Sequence, residues 1–333
     1  MSSFWQNKKV LVTGAGGFIG SHLTESLSNA GANVTAMIHY DSRSNMSNLE
    51  YLSKETLKKM TIISGDVCDP FFVNSAVEGQ DTVFHLAALI AIPYSYVAPH
   101  SYVQTNINGT LNVAEACRKH KVRRMIHTST SETYGTAIYA PIDEKHPIQG
   151  QSPYSASKIG ADKMIESYYN SFDLPVVTLR PFNTYGPRQS ARAVLPTIIS
   201  QCLSSESKQI TLGDLTPIRD MNFVLDTAGA FMAVAENDKC IGKTLNTGTG
   251  MGITVGEMAQ MIIKLTGASK ELVQDSSRIR PAKSEVFKLI SNSNQLRELT
   301  GWIPKTSFEK GIDECINFIK NNLHQYKIGT YER

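Results

Sequence analysis

A phenol and an ammonium group stand four residues apart in 154-YSASK-158, and a single carboxylate, Glu132, ends the hydroxyl-rich stretch 127-HTSTSETYG-135. A spacing of four puts Tyr154 and Lys158 on one face of a helix. A cation beside a phenol stabilises its ionised form and lowers its pKa toward the range where it can act as a base. Glu132 is open to blander readings, as a solvated surface acid or as one arm of a Ser/Thr-x-x-Glu capping box. An isolated YxxxK is ordinarily a solvated surface pair, so the elements that carry these residues decide what they do.

Those elements alternate. Short apolar runs predict strands at Lys9–Thr13, Val34–Ile38, Met60–Ser64, Thr82–Leu86, Met125–Ser129 and Val176–Pro181, with helices near Ile19–Ala30, Tyr102–His120 and Tyr154–Phe172. Such alternation predicts an α/β fold, a Rossmann-type doubly wound parallel sheet. From about Pro187 the pattern breaks into a helix (Ala193–Ser204), an isolated strand (Gln209–Leu212) and mixed elements. The expected division is a dinucleotide-binding domain over 1–186, with 223–248 returning to it, and a smaller C-terminal α+β substrate-binding region over 187–222 and 249–333.

The segment 10-VLVTGAGGFIGSHLTESLSNAG-31 reads as strand, glycine turn and amphipathic helix. Gly14 permits the tight turn, Gly17 lets the backbone approach a pyrophosphate, and Gly20 lets the helix pack on the strand. The helix start, with Phe18 and Ile19, offers amide donors and a favourable dipole to phosphates. Asp66 and Val67 follow the third strand, where an adenine would sit, and the small run Leu86, Ala87, Ala88 follows the fourth, where bulk would block a cofactor. A strand that prefers NAD ends in an acid that holds the ribose. Here Ile38 and His39 stand in that place, Asp41 comes late, and Arg43 is either a 2′-phosphate contact or a solvated loop cation. The cofactor expected is therefore NAD or NADP, with the balance toward NADP.

Bulk properties exclude other classes. The chain has 333 residues, 41% of them hydrophobic and 19% charged, with a net charge of +3, which argues against a nucleic-acid or membrane surface and for small-molecule partners. Five scattered cysteines without CxxC pairs favour a reducing compartment over disulfides or zinc. None of the eight histidines shows HxxxH or HExxH spacing, so no metal is expected. The lead MSSFWQNKKVLVTG leaves no room for a signal peptide's apolar core, and the expected location is the cytoplasm.

Taken in order, Gly14/Gly17/Gly20, 127-HTSTSETYG-135, Tyr154/Lys158, 180-RPFNTYGPR-188, 219-RDMNFVLDTA-228 and 278-RIRPAKSEV-286 resemble the extended short-chain dehydrogenase/reductase family of nucleotide-sugar enzymes. The resemblance implies an NAD(P) retained and recycled in the Rossmann domain and a nucleoside-diphospho-sugar against the C-terminal region. It also implies a homodimer through helices corresponding to Tyr102–His120 and Tyr154–Phe172. Thr130-Ser131-Glu132 is similar to the motif of the 4,6-dehydratases, above all the GDP-mannose type, and 4-epimerases generally lack this acid. In the implied reaction Tyr154 takes the C4 hydroxyl proton, Thr130 bonds the new ketone and Glu132 removes the C5 proton. Water then leaves from C6, with Glu132 or a water held by Ser131 as the acid.

On the substrate side the resemblance carries over Asn183, Arg188, Arg219 and Arg280, with Arg278 as a further candidate and Glu285 toward the nucleoside ribose. Arginine suits a diphosphate because its planar fork makes paired, charge-assisted bonds. The segments 90-IAIPYSYVAPHSYVQTNINGTLNV-113, RPFNTYGPRQSARAVLP and RPAKSEV most resemble the bacterial enzymes assigned to legionaminic acid synthesis, which implies GDP-N-acetylglucosamine as substrate. Rival readings are a UDP-glucuronate decarboxylase, which needs a cation beside C6, a 4-epimerase, and a non-catalytic dinucleotide sensor. Ala91–Tyr96 holds no such cation, though Arg188 or Arg192 could supply one. A sensor has no use for the full Tyr154/Lys158/Glu132 set.

Overall fold

Strand formers separated by helical segments build the first half of the chain. The computed structural model describes residues 3–275 and 286–326. Six parallel strands, β1 (Lys9–Thr13), β2 (Asn33–Ile38), β3 (Met60–Ser64), β4 (Thr82–His85), β5 (Arg124–Thr128) and β6 (Val176–Pro181), fall within about one residue of their predicted bounds. Their centres are continuous apolar runs, and Val10, Leu11, Val12, Val83 and Phe84 are fully buried, because helices cover both faces of a parallel sheet.

Beyond β6 come β7 (Asn183–Tyr185), β8 (Gln209–Leu212), β9 (Ile218–Arg219), β10 (Met221–Phe223) and β11 (Thr244–Thr247). β11 runs back to pair with β6, which completes a seven-stranded sheet in the order β11-β6-β5-β4-β1-β2-β3. The order reverses between β1 and β4, the place where open α/β sheets bind ligands beyond the carboxyl ends of their strands.

The remaining strands, β12 (Ile253–Thr254), β13 (Glu271–Gln274) and β14 (Lys288–Leu289), form small sheets with β8 and β9. Three amphipathic helices, Val194–Leu203, Val255–Thr266 and Phe308–Asn321, close a separate core of Leu195, Ile198, Ile199, Met258, Ile262, Ile312 and Ile319. The helix Val255–Thr266 starts on a Thr254/Glu257 capping box and stops at Gly267 in the left-handed conformation.

Two features depart from the sequence reading. The expected helix Tyr102–His120 is interrupted by a π-helical segment at Val103–Asn108, and the regular α-helix resumes only at Gly109. Its wider turn leaves Asn106 1% exposed, and such segments mark functional positions. Leu296 and Trp302, counted from sequence with the substrate region, pack instead into the main core against the helix Val224–Glu236. That helix is apolar on two sides and needs a cover away from the sheet. The Trp302 indole donates to the Asp226 carbonyl at 3.0 Å, and the Asp226 carboxylate accepts from the Lys305 and Thr306 amides. Among the described residues, no helix is long and apolar enough to cross a membrane.

Trp302→Ala is expected to cost about 3–5 kcal/mol and Trp302→Phe clearly less, since the first empties a core site and the second refills most of it. Urea denaturation checks this, and a midpoint for Trp302→Ala equal to the wild type would place the indole outside the cooperative core.

Candidate active site

At the end of β1, Gly14 adopts φ +70°, and a Cβ there would stand 2.7 Å from the Ala87 amide nitrogen. The crossing of the β1 and β4 loops therefore admits no side chain. A Cβ on Gly20 would fall 2.1 Å from the Gly14 carbonyl oxygen, so the helix Phe18–Asn29 lies directly on the turn. Gly17 is that helix's N-cap, with no side-chain cap and no acid in the first turn. The Phe18 and Ile19 amides and the positive end of the helix dipole thus fit a dinucleotide pyrophosphate.

A directed chain of bonds sets the β4 loop. The Ala87 amide donates to Thr13 Oγ1 at 3.2 Å, the Thr13 hydroxyl meets His85 Nδ1 at 2.8 Å, His85 Nε2 meets Thr110 Oγ1 at 3.0 Å, and the Thr110 hydroxyl donates to the Asn106 carbonyl at 2.6 Å. Each hydroxyl has one proton to give, so His85 carries its own on Nε2. Burial holds that imidazole well below its usual pKa, and the charges of His127 and Lys158 act the same way.

Leu86 and Ala88, half-buried, flank Ala87 on this loop. On β3's side, Val67 is buried under Gly109 and its carbonyl accepts from Asn112, while Asp66 is exposed and accepts the Cys68 amide at 2.9 Å. His39 lies exposed just past β2. Arg43 is 87% exposed and 3.6 Å from the Asp41 carboxylate, so it is already paired within its own loop.

The strand β5 ends in a short 3₁₀ turn, Ser131–Tyr134, capped by Thr130, whose Oγ1 accepts the Glu132 amide at 3.2 Å. Thr130 caps the turn, Ser131 is buried, and Glu132 is half-buried. Opposite lies the helix Pro153–Phe172, started by a Ser152/Ser155 capping box that sets its phase. On its inward face Tyr154, Lys158 and Asp162 are all buried. The Tyr154 hydroxyl is hydrogen-bonded to Thr130, and Lys158 Nζ donates to the Thr128 carbonyl at 2.7 Å. Asn106 donates to the Leu89 carbonyl and to Ser157 Oγ, both at 2.9 Å, and accepts the Leu89 amide at 2.8 Å. It ties the β4 loop to the tyrosine helix, since Ser157 in turn donates to the Tyr154 carbonyl.

Electrostatics correct one expectation. Burial pushes the Tyr154 phenol up from its ordinary pKa, the Thr130 bond opposes this, and the nearby Glu132 carboxylate adds to it. Lys158 does not lower it, because the ammonium is turned to the Thr128 carbonyl and is itself brought from 10.5 to about 8 by burial, with Asp162 opposing.

The substrate-side residues divide. Asn183 opens β7 with a buried Oδ1 that has no hydrogen-bond partner, an acceptor suited to a ligand. Arg219 lies half-buried in β9. Arg188, expected toward the diphosphate, instead places Nη2 2.7 Å from Glu25 on the glycine-loop helix. Its φ of +67° and the Pro187 carbonyl's 3.0 Å contact with His22 Nε2 turn the loop that way. Arg278, Arg280 and Glu285 lie outside the described residues. Among the described residues, no group of His, Cys, Asp or Glu is placed to hold a metal ion.

Sequence reading missed Asn106 and Asp162. Asn106 carried no signal, because the helix was read as continuous. Asp162 did, since it continues the four-residue step from Tyr154 and Lys158 on a face that should be apolar.

The reversed sheet order, the glycine turn and the paired Tyr154 and Lys158 define the extended short-chain dehydrogenase/reductase class. A sequence profile described as GDP-mannose 4,6 dehydratase matches residues 11–315, and the chain belongs to that family. It is similar to human dTDP-D-glucose 4,6-dehydratase, 31% identical over 96% of this chain and 92% of that protein. It is equally similar to the UDP-glucose 4-epimerase of Mycolicibacterium smegmatis, 31% identical over 94% of this chain and 99% of that one. Among solved structures, the UDP-glucuronic acid 4-epimerase of Bacillus cereus, in complex with UDP-glucuronic acid and NAD, superposes with a TM-score of 0.84 at 28% identity, covering 94% of this chain and 99% of that one.

Lys158 makes stability depend on pH. Its folded pKa of about 8 lies below the ordinary 10.5, so between those values the unfolded chain binds more protons and stability rises with pH. The rise attributable to this group is up to roughly 3 kcal/mol. Urea denaturation of wild type and Lys158→Met at about pH 7.5 and about pH 10.5, near the ends of that window, is expected to show the alkaline gain in the wild type and its loss in the variant.

Proposed function

We propose that this chain is a nucleotide-sugar 4,6-dehydratase that converts GDP-N-acetylglucosamine to its 4-keto-6-deoxy derivative. The observation that carries the reading is Glu132, a carboxylate on a capped turn whose charge reaches the Tyr154 phenol. The substrate rests on the resemblance of the Ile90–Val113, Arg180–Pro196 and Arg280–Val286 segments to legionaminic acid pathway dehydratases. We place the sugar nucleotide against 187–222 and 249–333, with Arg219 toward its diphosphate and Asn183 also on the substrate side. We take the cofactor to be NAD. A related structure at 28% identity holds it, and Arg43 would have to leave Asp41 to meet a 2′-phosphate. The exposed Val97, Val103 and Phe172 near the two long helices support a homodimer.

The Phe18 and Ile19 amides would hold the dinucleotide's pyrophosphate, and the bound cofactor would supply hydride acceptance at C4 and hydride return at C6. Tyr154 takes the C4 hydroxyl proton, and Lys158, buried on the same helical face, holds its ammonium on the Thr128 carbonyl at the base of the turn. The bond between Tyr154 and Thr130 puts the Thr130 hydroxyl within reach of the oxygen at C4. A ketone at C4 acidifies the C5 proton, which Glu132 removes and, as the acid, delivers to the departing C6 hydroxyl so that water leaves; a solvent proton then returns to C5. The turn's cap on the Glu132 amide fixes where that carboxylate starts.

The similarity to a 4-epimerase supports a second reading, in which Tyr154 works alone. Mass spectrometry in heavy water, with NAD added and GDP-N-acetylglucosamine, UDP-N-acetylglucosamine, GDP-mannose and UDP-glucuronate offered in turn, separates the readings. Loss of one water with uptake of solvent deuterium is expected from GDP-N-acetylglucosamine. An isomer of unchanged mass would establish the epimerase, and loss of carbon dioxide from the glucuronate would establish a decarboxylase. Glu132→Gln is expected to reduce elimination by about 10²–10⁴-fold, while the C4 oxidation persists. Fluorescence titration is expected to give tighter binding of NAD than of NADP, and the reverse order would move Arg43 into the cofactor site.

A further inference from the structure

Three side chains of the tyrosine helix, at steps of four, meet successive groups of the strand end facing them. Tyr154 pairs with the Thr130 hydroxyl, Lys158 donates to the Thr128 carbonyl, and Asp162 accepts from His127 Nε2 at 3.0 Å and from the Ser129 hydroxyl at 2.6 Å. Four helical residues rise about 6.0 Å, and two strand residues advance about 6.6 Å. Helix and strand therefore stay in step from Tyr154 to Lys158, and Asp162 then takes the two residues that flank Thr128.

The reaction proposed above uses the first two contacts and leaves the third unexplained. Asp162 is 6% exposed, and its Oδ2 also accepts from Arg180 Nη2 at 2.9 Å and Nε at 3.3 Å. Arg180, itself buried, extends the grip: Nη1 donates to the Tyr134 hydroxyl at 3.1 Å and the guanidinium lies 4.9 Å from that ring's centre. Tyr134 is anchored beyond by Asn246 on β11 at 2.7 Å. His127 and Ser129 precede Thr130 and Glu132, and Tyr134 follows them. One buried ion pair thus holds both flanks of the turn that presents the carboxylate.

We propose that the Asp162–Arg180 pair is the positioning device of the reaction centre, holding Thr130 and Glu132 in register with Tyr154 and Lys158. The inference rests on the reading of those four as the reacting groups. A buried ion pair is a poor choice for stability, since desolvation offsets its attraction, but it is a directional one. The groups that face Asp162 are His127 from β5, Ser129 just past its end, Arg180 from β6 and the Lys158 charge from its own helix, with His85 stacked on His127 at 6.0 Å. His127 is buried and held below its usual pKa, so it serves Asp162 as a neutral donor. The Asp162 carboxylate also helps keep Lys158 charged.

Three variants of the full chain, with NAD added, test the proposal: Ser129→Ala, Asp162→Asn and the neutralised pair Asp162→Asn/Arg180→Met. Hydrogen exchange of the 129–135 amides needs no substrate, and it is expected to speed up by about tenfold in the two single variants, with β1 and β4 amides unchanged. Turnover of whichever of the four nucleotide sugars reacts is expected to fall by about 100-fold, with KM held within about threefold. The neutralised pair is expected to regain the folding midpoint lost in Asp162→Asn without regaining turnover. Unchanged exchange in Ser129→Ala, or turnover that returns with stability in the neutralised pair, would overturn the proposal. Should none of the sugars react, the functional reading fails by itself, and the exchange data still decide whether this pair orders the turn.

Discussion

The contact between the tyrosine helix and the end of β5 is the constraint on which this reaction centre depends. A side chain on the tyrosine helix reaches β5 only if the helix axis runs at the right height and phase. The Ser152/Ser155 capping box sets where the helix begins. Asn106, Lys158 and Asp162 then fix its depth by bonding the β4 loop, the Thr128 carbonyl and the β5 and β6 side chains. These bonds lie in a low-dielectric interior, where a satisfied polar network is directional and a broken one is costly. The apolar core around the sheet supplies most of the stability, and the polar layer supplies the geometry.

The same logic joins the cofactor loop to the loop that follows β6. Gly14 and Ala87 approach too closely for any side chain, so the β1 and β4 turns move as one. His22 and Glu25, one and two turns into the glycine-loop helix, hold Pro187 and Arg188, and Asn48 holds the Arg188 carbonyl. Burial and the Arg188 charge bring His22 to a pKa of about 4, so this latch keeps a neutral imidazole at physiological pH. An arginine that looks like a phosphate ligand in sequence thus serves to join the two sides of the crevice.

Family members that share a third of their residues with this chain include both a dehydratase and an epimerase. Overall similarity therefore does not separate these chemistries. The short turn after β5 is the place where this chain presents the half-buried Glu132 carboxylate.

Much of this was legible in the residues. The strand positions, the glycine turn and the spacing of Tyr154 and Lys158 follow from local steric and periodic rules, and apolar runs bounded by turn formers leave few alternatives. The π segment at Val103–Asn108, the burial of Leu296 and Trp302 in the main core, and the pairing of Arg188 with Glu25 were not legible. Each depends on partners far apart in the chain, for which no local pattern exists. The direction of the Tyr154 shift belongs with them, because a pKa is set by the whole surroundings and here burial, with the Glu132 charge adding to it, outweighs the Thr130 hydrogen bond. The sequence by itself determined where the strands form and which residues are candidates for the chemistry, since propensity and periodicity are properties of neighbouring residues. Only the tertiary structure decided how Asp162 and Arg180 bracket the Glu132 turn, because that arrangement exists only where β5, β6, β11 and the tyrosine helix pack together.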